Sequence, residues 1–445
     1  MNHSTPYSYR QIYNVAYPIF ITLLVQNLIQ VTDTAFLGRV GEVELGASAI
    51  AGIFYIVIFT LAFGFSNGSQ IIIGRRNGEQ NYKQIGEIVV VGTLFLLLIA
   101  LCMFLFVRTF SRPALSAVLS STAVLEASVT YLNHRVWGIF FACINVMFRA
   151  FYTGTTKTRI LSINAGIMAG VNVVFDYALI FGHFGFPVMG IAGAAIASVI
   201  AEATSVLFFF SYTLLTIDLK KYGFTFIRPG ARAVVKNILN VSLSLMLQYM
   251  ISLGTWLIFF LFIEKMGERS LAASNVVRSI YILFAIPVFA LSTTTNTLVS
   301  NTIGTGNING VKPLIWKIVR AALCLALFFV PVILLFPDLT LSVYTSDPNL
   351  ISAARPSMIV VALTLPVMAF GNLFFSSVSG TGNTRTALLI EMGVMCFYLT
   401  YVYLLVNVAK ASLAICWTSE IVYAGGIFIF SYFYIKSGKW KDRRI

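Results

Sequence analysis

Residues 88–107 read IVVVGTLFLLLIALCMFLFV, twenty consecutive positions without a charged side chain. That is the length an α-helix needs to cross a bilayer core of about 30 Å, and in a single apolar stretch only a helix satisfies its own backbone groups there. Residues 50–73 are of the same kind, and 12–36 and 314–336 reach that length with few charges, Asp33 in the first and Lys317 and Arg320 in the second. Across all 445 residues, 58% are hydrophobic and 10% charged, and the mean hydropathy is +0.87. A soluble domain carries roughly a quarter charged residues, so water is not the main solvent of this chain.

The net charge of +14 suggests nucleic acid at first sight, but the basic residues are spread thinly between apolar stretches and are better read as topology signals. The first stretch is too long for the apolar core of a signal peptide and has no small-residue cleavage site before Asp33 and Arg39, so it is a retained span. The five cysteines (Cys102, Cys143, Cys324, Cys396 and Cys416) lie far apart inside apolar stretches and read as packing residues.

Twelve spans are expected, near 12–36, 49–73, 86–108, 125–151, 160–182, 189–214, 237–262, 273–300, 313–336, 352–376, 384–408 and 412–436. One set of alternating loops and ends holds Arg10, Arg75, Arg76, Lys83, Lys157, Arg159, Lys220, Lys221, Arg228, Arg232, Lys236, Lys312, Arg385, and the tail with Lys436, Lys439, Lys441, Arg443 and Arg444. The other set is poorer in Lys and Arg and is diluted by Glu42, Glu44, Glu264, Glu268, Asp338 and Asp347. The rule that basic loops stay inside places the first set, with both termini, in the cytoplasm. The domains read as an N-terminal six-helix lobe over 1–216, a cytoplasmic linker over 217–236, a C-terminal six-helix lobe over 237–436 and a basic tail over 437–445.

The lobes repeat. An offset of 226 pairs Gly41-Glu42 with Gly267-Glu268, Ala47-Ser48 with Ala273-Ser274, Gly154-Thr155 with Gly380-Thr381 and Thr158-Arg159 with Thr384-Arg385. Between those anchors Gly74, Arg75, Arg76 and Asn77 match Gly304, Thr305, Gly306 and Asn307 at an offset of 230, which implies a short insertion in the eighth span. Six spans per repeat make the repeat parallel, with its pseudo-two-fold axis along the membrane normal, an arrangement found in transporters.

Tyr17-Pro18, the run Val31-Thr32-Asp33-Thr34 with Leu37-Gly38-Arg39, the run 171–176 (VNVVFD), the run 191–198 (IAGAAIAS) and Gly380-Thr381-Gly382-Asn383-Thr384 together resemble the multidrug and toxic compound extrusion (MATE) transporters over nearly the whole chain. The resemblance implies two six-helix bundles in a V shape. It also implies a bacterial plasma-membrane location, and efflux of small organic compounds driven by an inward proton or sodium gradient. No other cofactor, catalytic residue or nucleic-acid partner is expected, and a two-lobed carrier of this kind can work as a monomer in the lipid bilayer.

Charge inside a bilayer is costly, so carboxylates within spans are functional candidates. Asp33, Asp176, Glu202 and Glu391 are the ones singled out. Asp33 lies about one turn from the outer end of its span and Asp176 about two, and Asn172 and Gln26 fall on the faces of Asp176 and Asp33. Such a group suits cation coupling: a carboxyl in a low-dielectric cavity can hold a proton near neutrality, and carboxylate, amide and hydroxyl oxygens can coordinate sodium. The resemblance carries the cation-site role onto Asp33, Gln26, Asn172, Asp176 and the hydroxyl of Ser198, and the bend of the first span onto Pro18. Where relatives often have glutamine, this chain has Glu202. It reads either as a third proton-binding carboxyl or counter-charge for cationic substrates, or as a structural group. Asp33 as a helix-end cap and Pro18 as a simple kink remain alternatives.

Glu391 and Arg278 are a candidate ion pair in the second lobe. At the repeat offset Asp33, Pro18, Asn172 and Asp176 map to Phe259, Ser244, Tyr398 and Val402, so the outer acid cluster has no copy there. On that ground the chain resembles the DNA-damage-inducible subgroup, with its cation site in the first lobe. Rival readings are a lipid-linked oligosaccharide flippase of the same superfamily and an integral membrane enzyme. The enzyme reading lacks a nucleophile or a metal-ligand spacing among His3, His134 and His183.

Overall fold

A computed structural model describes residues 7–224 and 230–442. Residues 225–229 of the expected linker, with Arg228, lie outside the described residues, as do His3, Arg443 and Arg444. Every regular element among the described residues is helical: α1 (Tyr9–Val40), α2 (Glu42–Gly78), α3 (Tyr82–Ser116), α4 (Thr122–Arg135), α5 (Gly138–Gly154), α6 (Arg159–Phe181), α7 (Gly190–Thr216), α8 (Leu219–Tyr222), α9 (Ala231–Glu264), α10 (Glu268–Gly304), α11 (Val311–Leu335), α12 (Pro337–Ser342), α13 (Pro348–Gly380), α14 (Thr384–Tyr403), α15 (Leu413–Trp417) and α16 (Ser419–Ser437). Eleven elements are long and apolar enough to cross a membrane, and twelve when α4 and α5 count as one span.

Six helices, α1, α2, α3, α9, α10 and α13, overrun the expected spans at both ends because their termini carry polar turns. In α2 the acids Glu42 and Glu44 occupy the first turn and Arg75 and Arg76 the last, each at the end whose partial charge it complements. The fourth span differs from a straight rod: α4 and α5 meet at a 54° bend. Gly138 opens α5 at this break, and a Cβ there would collide with Glu202 Oε2 and Arg135 Nη1, so the bend and the absent side chain together make room for that pair.

Helix lengths correct one expectation. Both α2 and α10 have 37 residues, displaced by 226, so the eighth span contains no insertion. After these helices Gln80 and Gly306 take positive φ (58° and 78°), and Asn81 and Asn307 adopt nearly identical dihedrals before the next helix. The asparagine that matches Asn307 is therefore Asn81, not Asn77. Thr156 (φ 60°) and Gly382 (φ 87°) repeat the pattern at the same offset. A glycine stands at one copy only, so residue identity is a poor guide to a turn whose backbone the two repeats share.

Contacts divide the chain into two compact units, Ile21–Met246 and Met1–Phe20 with Leu247–Ile445, both divisions falling within a helix. In the first unit a core of Leu37, Ala47, Ile180, Ile191 and Ala194 packs the C-terminal end of α1 against α2, α6 and α7, with Phe36 edge-on to Phe181 at 5.8 Å. In the second, α13 is the most enclosed of the spans. There Trp417 is fully buried, stacks edge-on against Phe259 at 5.6 Å and donates its indole N–H to Ser274 Oγ at 3.1 Å.

Candidate functional site

Packing at the end of α1 holds Asp33 one turn before Leu37 and turns it toward α6. Asp176 is 0% exposed and lies close enough to Asp33 for the two carboxyls to repel each other when both are charged. Among the described residues Asp33 Oδ1 and both oxygens of Asp176 have no hydrogen-bond partner; neither have Oδ1 and Nδ2 of Asn172, one turn from Asp176. Buried polar atoms are normally satisfied by the protein, and a cluster that is not marks a place where a proton, ion or solvent completes the bonding.

Asp33 and Asn172 face a cavity of 590 Å³ inside this unit, which Gln26, Ser198 and Glu202 also line. Five of the sequence-derived residues thus share one cavity, while Asp176 is buried near Asp33 and is not on the cavity wall. Pro18 is buried within an unbroken α1 but belongs to the other unit.

Glu202 is neither a third free carboxyl nor paired with a hydroxyl. Arg135, the last residue of α4, grips it with two hydrogen bonds, Nη2 to Oε1 at 2.5 Å and Nη1 to Oε2 at 2.9 Å. The guanidinium lies 4.3 Å from the centre of the Tyr55 ring, and Asn145 Nδ2 donates to the Glu202 carbonyl at 3.1 Å. Sequence reasoning missed Arg135, and with it Arg149 of α5, which lines the same cavity. The signal was present, since both arginines fall inside the apolar stretch 125–151, but only carboxylates were weighed there.

The expected Arg278–Glu391 ion pair does not form. Arg278 instead lies 4.9 Å from the centre of the Phe260 ring, and Glu391 accepts hydrogen bonds from Ser252 Oγ and from Tyr423 Oη, the latter at 3.2 Å. An aromatic face supplies Arg278 with a partner without a carboxylate. A second buried acid, Glu420, was overlooked inside 412–436. It accepts from Tyr398 Oη at 3.0 Å and Tyr281 Oη at 3.2 Å, and lines a 370 Å³ cavity with Trp256 and Tyr423.

Unsatisfied acids beside a cavity, in a helical chain built from matched membrane-spanning repeats, are an architecture that suits a carrier. Residues 18–178 and 241–404 match the family described as MatE. The chain belongs to the MatE family. Among its relatives, a probable multidrug resistance protein NorM from Thermotoga maritima is 24% identical over 98% of this chain and 94% of its own. The multidrug and toxin extrusion protein 1 of Oryctolagus cuniculus is 26% identical over 83% of this chain and 63% of its own. Among solved structures, a MOP superfamily transporter from Pyrococcus furiosus superposes with a TM-score of 0.88 over 96% of this chain and 95% of its own. At 18% identity that likeness carries the fold alone. The MatE protein described here is thus a multi-pass membrane protein of a transporter family, and its named relatives are exporters, not enzymes.

Proposed function

We propose that this MatE-family protein is a secondary antiporter that exports amphipathic organic compounds bearing a cationic group in exchange for protons or sodium ions. Asp33 and Asp176 are the coupling carboxyls, with Asn172, Gln26 and Ser198 completing the oxygen set. The observation that carries this reading is the neighbouring pair of acids whose buried oxygens have no hydrogen-bond partner among the described residues, beside a cavity of 590 Å³. That volume lies within the roughly 300–1,000 Å³ of small-molecule sites. Arg135 is tied to Glu202, and among the described residues neither Asp33 nor Asp176 has an ion pair. A cation entering or leaving the pair changes the charge of the cavity wall by one unit and so changes its affinity for an organic cation.

In this reading the lobe 1–216 carries coupling, as in the DNA-damage-inducible subgroup that the sequence resembles, while 237–436 supplies the second lobe and 217–236 the cytoplasmic linker between them. The basic loops support cytoplasmic termini in a bacterial plasma membrane, and a monomer suffices. Names of the relatives support drugs and toxins as cargo.

The test is gradient-driven transport of tetramethylrhodamine methyl ester in reconstituted vesicles, under imposed pH or sodium gradients. Asp33→Asn and Asp176→Asn are expected each to lower gradient-driven transport by about ten-fold or more, the scale of losing one charge-assisted interaction. Full gradient-driven transport in both variants would sink the assignment. No transport of any organic cation by the wild type would favour the flippase.

A further inference from the structure

Arg149 is the group in the cavity wall that cation coupling leaves unused. It lies in α5 five residues before Gly154, about 8 Å from the helix end at 1.5 Å per residue. Arg149 lines the 590 Å³ cavity and also a 120 Å³ cavity that shares Gln26, Met168 and Glu202 with it. Among the described residues it has no ion pair and no hydrogen bond, whereas Arg135, the other arginine of the wall, is tied to Glu202. An unpaired guanidinium in a membrane-spanning helix costs kilocalories and is retained where a partner is supplied by what passes through. Its planar fork of N–H donors matches carboxylate or phosphate oxygens, two at a time.

Two further features fit a bound organic group at this end. Asn164 is 7% exposed, donates Nδ2 to Ser205 Oγ at 2.8 Å, and among the described residues has no partner for Oδ1, while it lines the smaller cavity with Arg149. That oxygen accepts an N–H or O–H next to an anionic group. Thr22, which lines the smaller cavity, and Asp33, which lines the larger, are eleven residues apart on α1, or about 16 Å. The two cavities together thus extend over about 16 Å along α1, with Asp33 on the larger and Arg149 on both.

We propose that Arg149 is an anion-binding residue of the substrate site, and that the preferred cargo is zwitterionic: its cationic group toward Asp33, its carboxylate or phosphate on Arg149. The cationic half of this assignment rests on the antiport reading; the anionic half rests on Arg149 alone.

The experiment compares two probes of one scaffold, tetramethylrhodamine with its free carboxylate and the methyl ester of the same dye, which lacks it. Binding to purified protein in detergent is read by fluorescence anisotropy, and transport in vesicles under imposed gradients. Arg149→Gln is expected to weaken binding and transport of the free-carboxylate dye by about ten-fold and to leave the ester unchanged, with partial rescue by Arg149→Lys. Unchanged ester handling shows in the same sample that the variant is folded. The inference is overturned if Arg149→Gln handles the free-carboxylate dye as wild type does, or if it loses both dyes in equal measure. Should binding follow the expectation while wild-type transport ignores both gradients, the anion site stands and the antiport reading falls.

Discussion

At the residue scale, the Arg135–Glu202 pair changes what the cavity is. Its side chains are 13% and 14% exposed, so removing one partner strands a charge in a poorly solvated place at a cost of about 3–5 kcal/mol, whereas removing both costs much less. Unfolding in mild detergent should therefore show Arg135→Gln and Glu202→Gln each lowering the midpoint markedly, and the double variant recovering most of the loss. Additive losses would mean the two side chains act independently. Asp33, Asp176, Asn172 and Gln26 were legible in the sequence because helical spacing puts each amide on its carboxylate's face and intramembrane acids are few. The partner of Glu202 was not legible, because Arg135 is 67 residues away in sequence and only the packing of α4 against α7 brings them together. The same limit hid the partners of Glu391: Ser252 and Tyr423 lie on α9 and α16, and neither bears a charge that points to them.

At the scale of elements, hydropathy located every span, because lipid imposes a length and a composition that no side-chain detail overrides. It did not show the break between α4 and α5, since an apolar run reads the same whether straight or bent by 54°. The turns after α2 and α10 show the opposite case, one backbone written in two sequences. Gly306 has φ 78° and open space where a Cβ would stand, so Gly306→Ala meets only backbone strain, about 1 kcal/mol of lost stability. Gln80, exposed at φ 58°, already bears that strain, and Gln80→Gly should raise stability by a similar amount. Thermal unfolding of the two variants checks both signs; a fall for Gln80→Gly would mean its side chain has a role that the turn does not require.

At the scale of the whole molecule, two repeats with matching helices bury different chemistry. In Ile21–Met246 Asp33 Oδ1 and both oxygens of Asp176 have no hydrogen-bond partner among the described residues, while in the other unit Glu391 and Glu420 are each held by two hydroxyls from serine or tyrosine. If coupling belongs to the first unit, Glu391→Gln and Glu420→Gln should retain gradient-driven dye transport within about a factor of three, since amides still accept from the same hydroxyls. Loss of the gradient response in either, with dye binding intact, would move coupling to the second unit. The most direct measurement of the central claim is ion release on substrate binding. Tetramethylrhodamine methyl ester is added to purified protein in weak buffer, with a pH indicator for protons and radioactive sodium for sodium ions. Dye binding is expected to displace protons or sodium from the wild type and neither from the Asp33→Asn/Asp176→Asn double variant; equal release from both proteins would contradict the assignment.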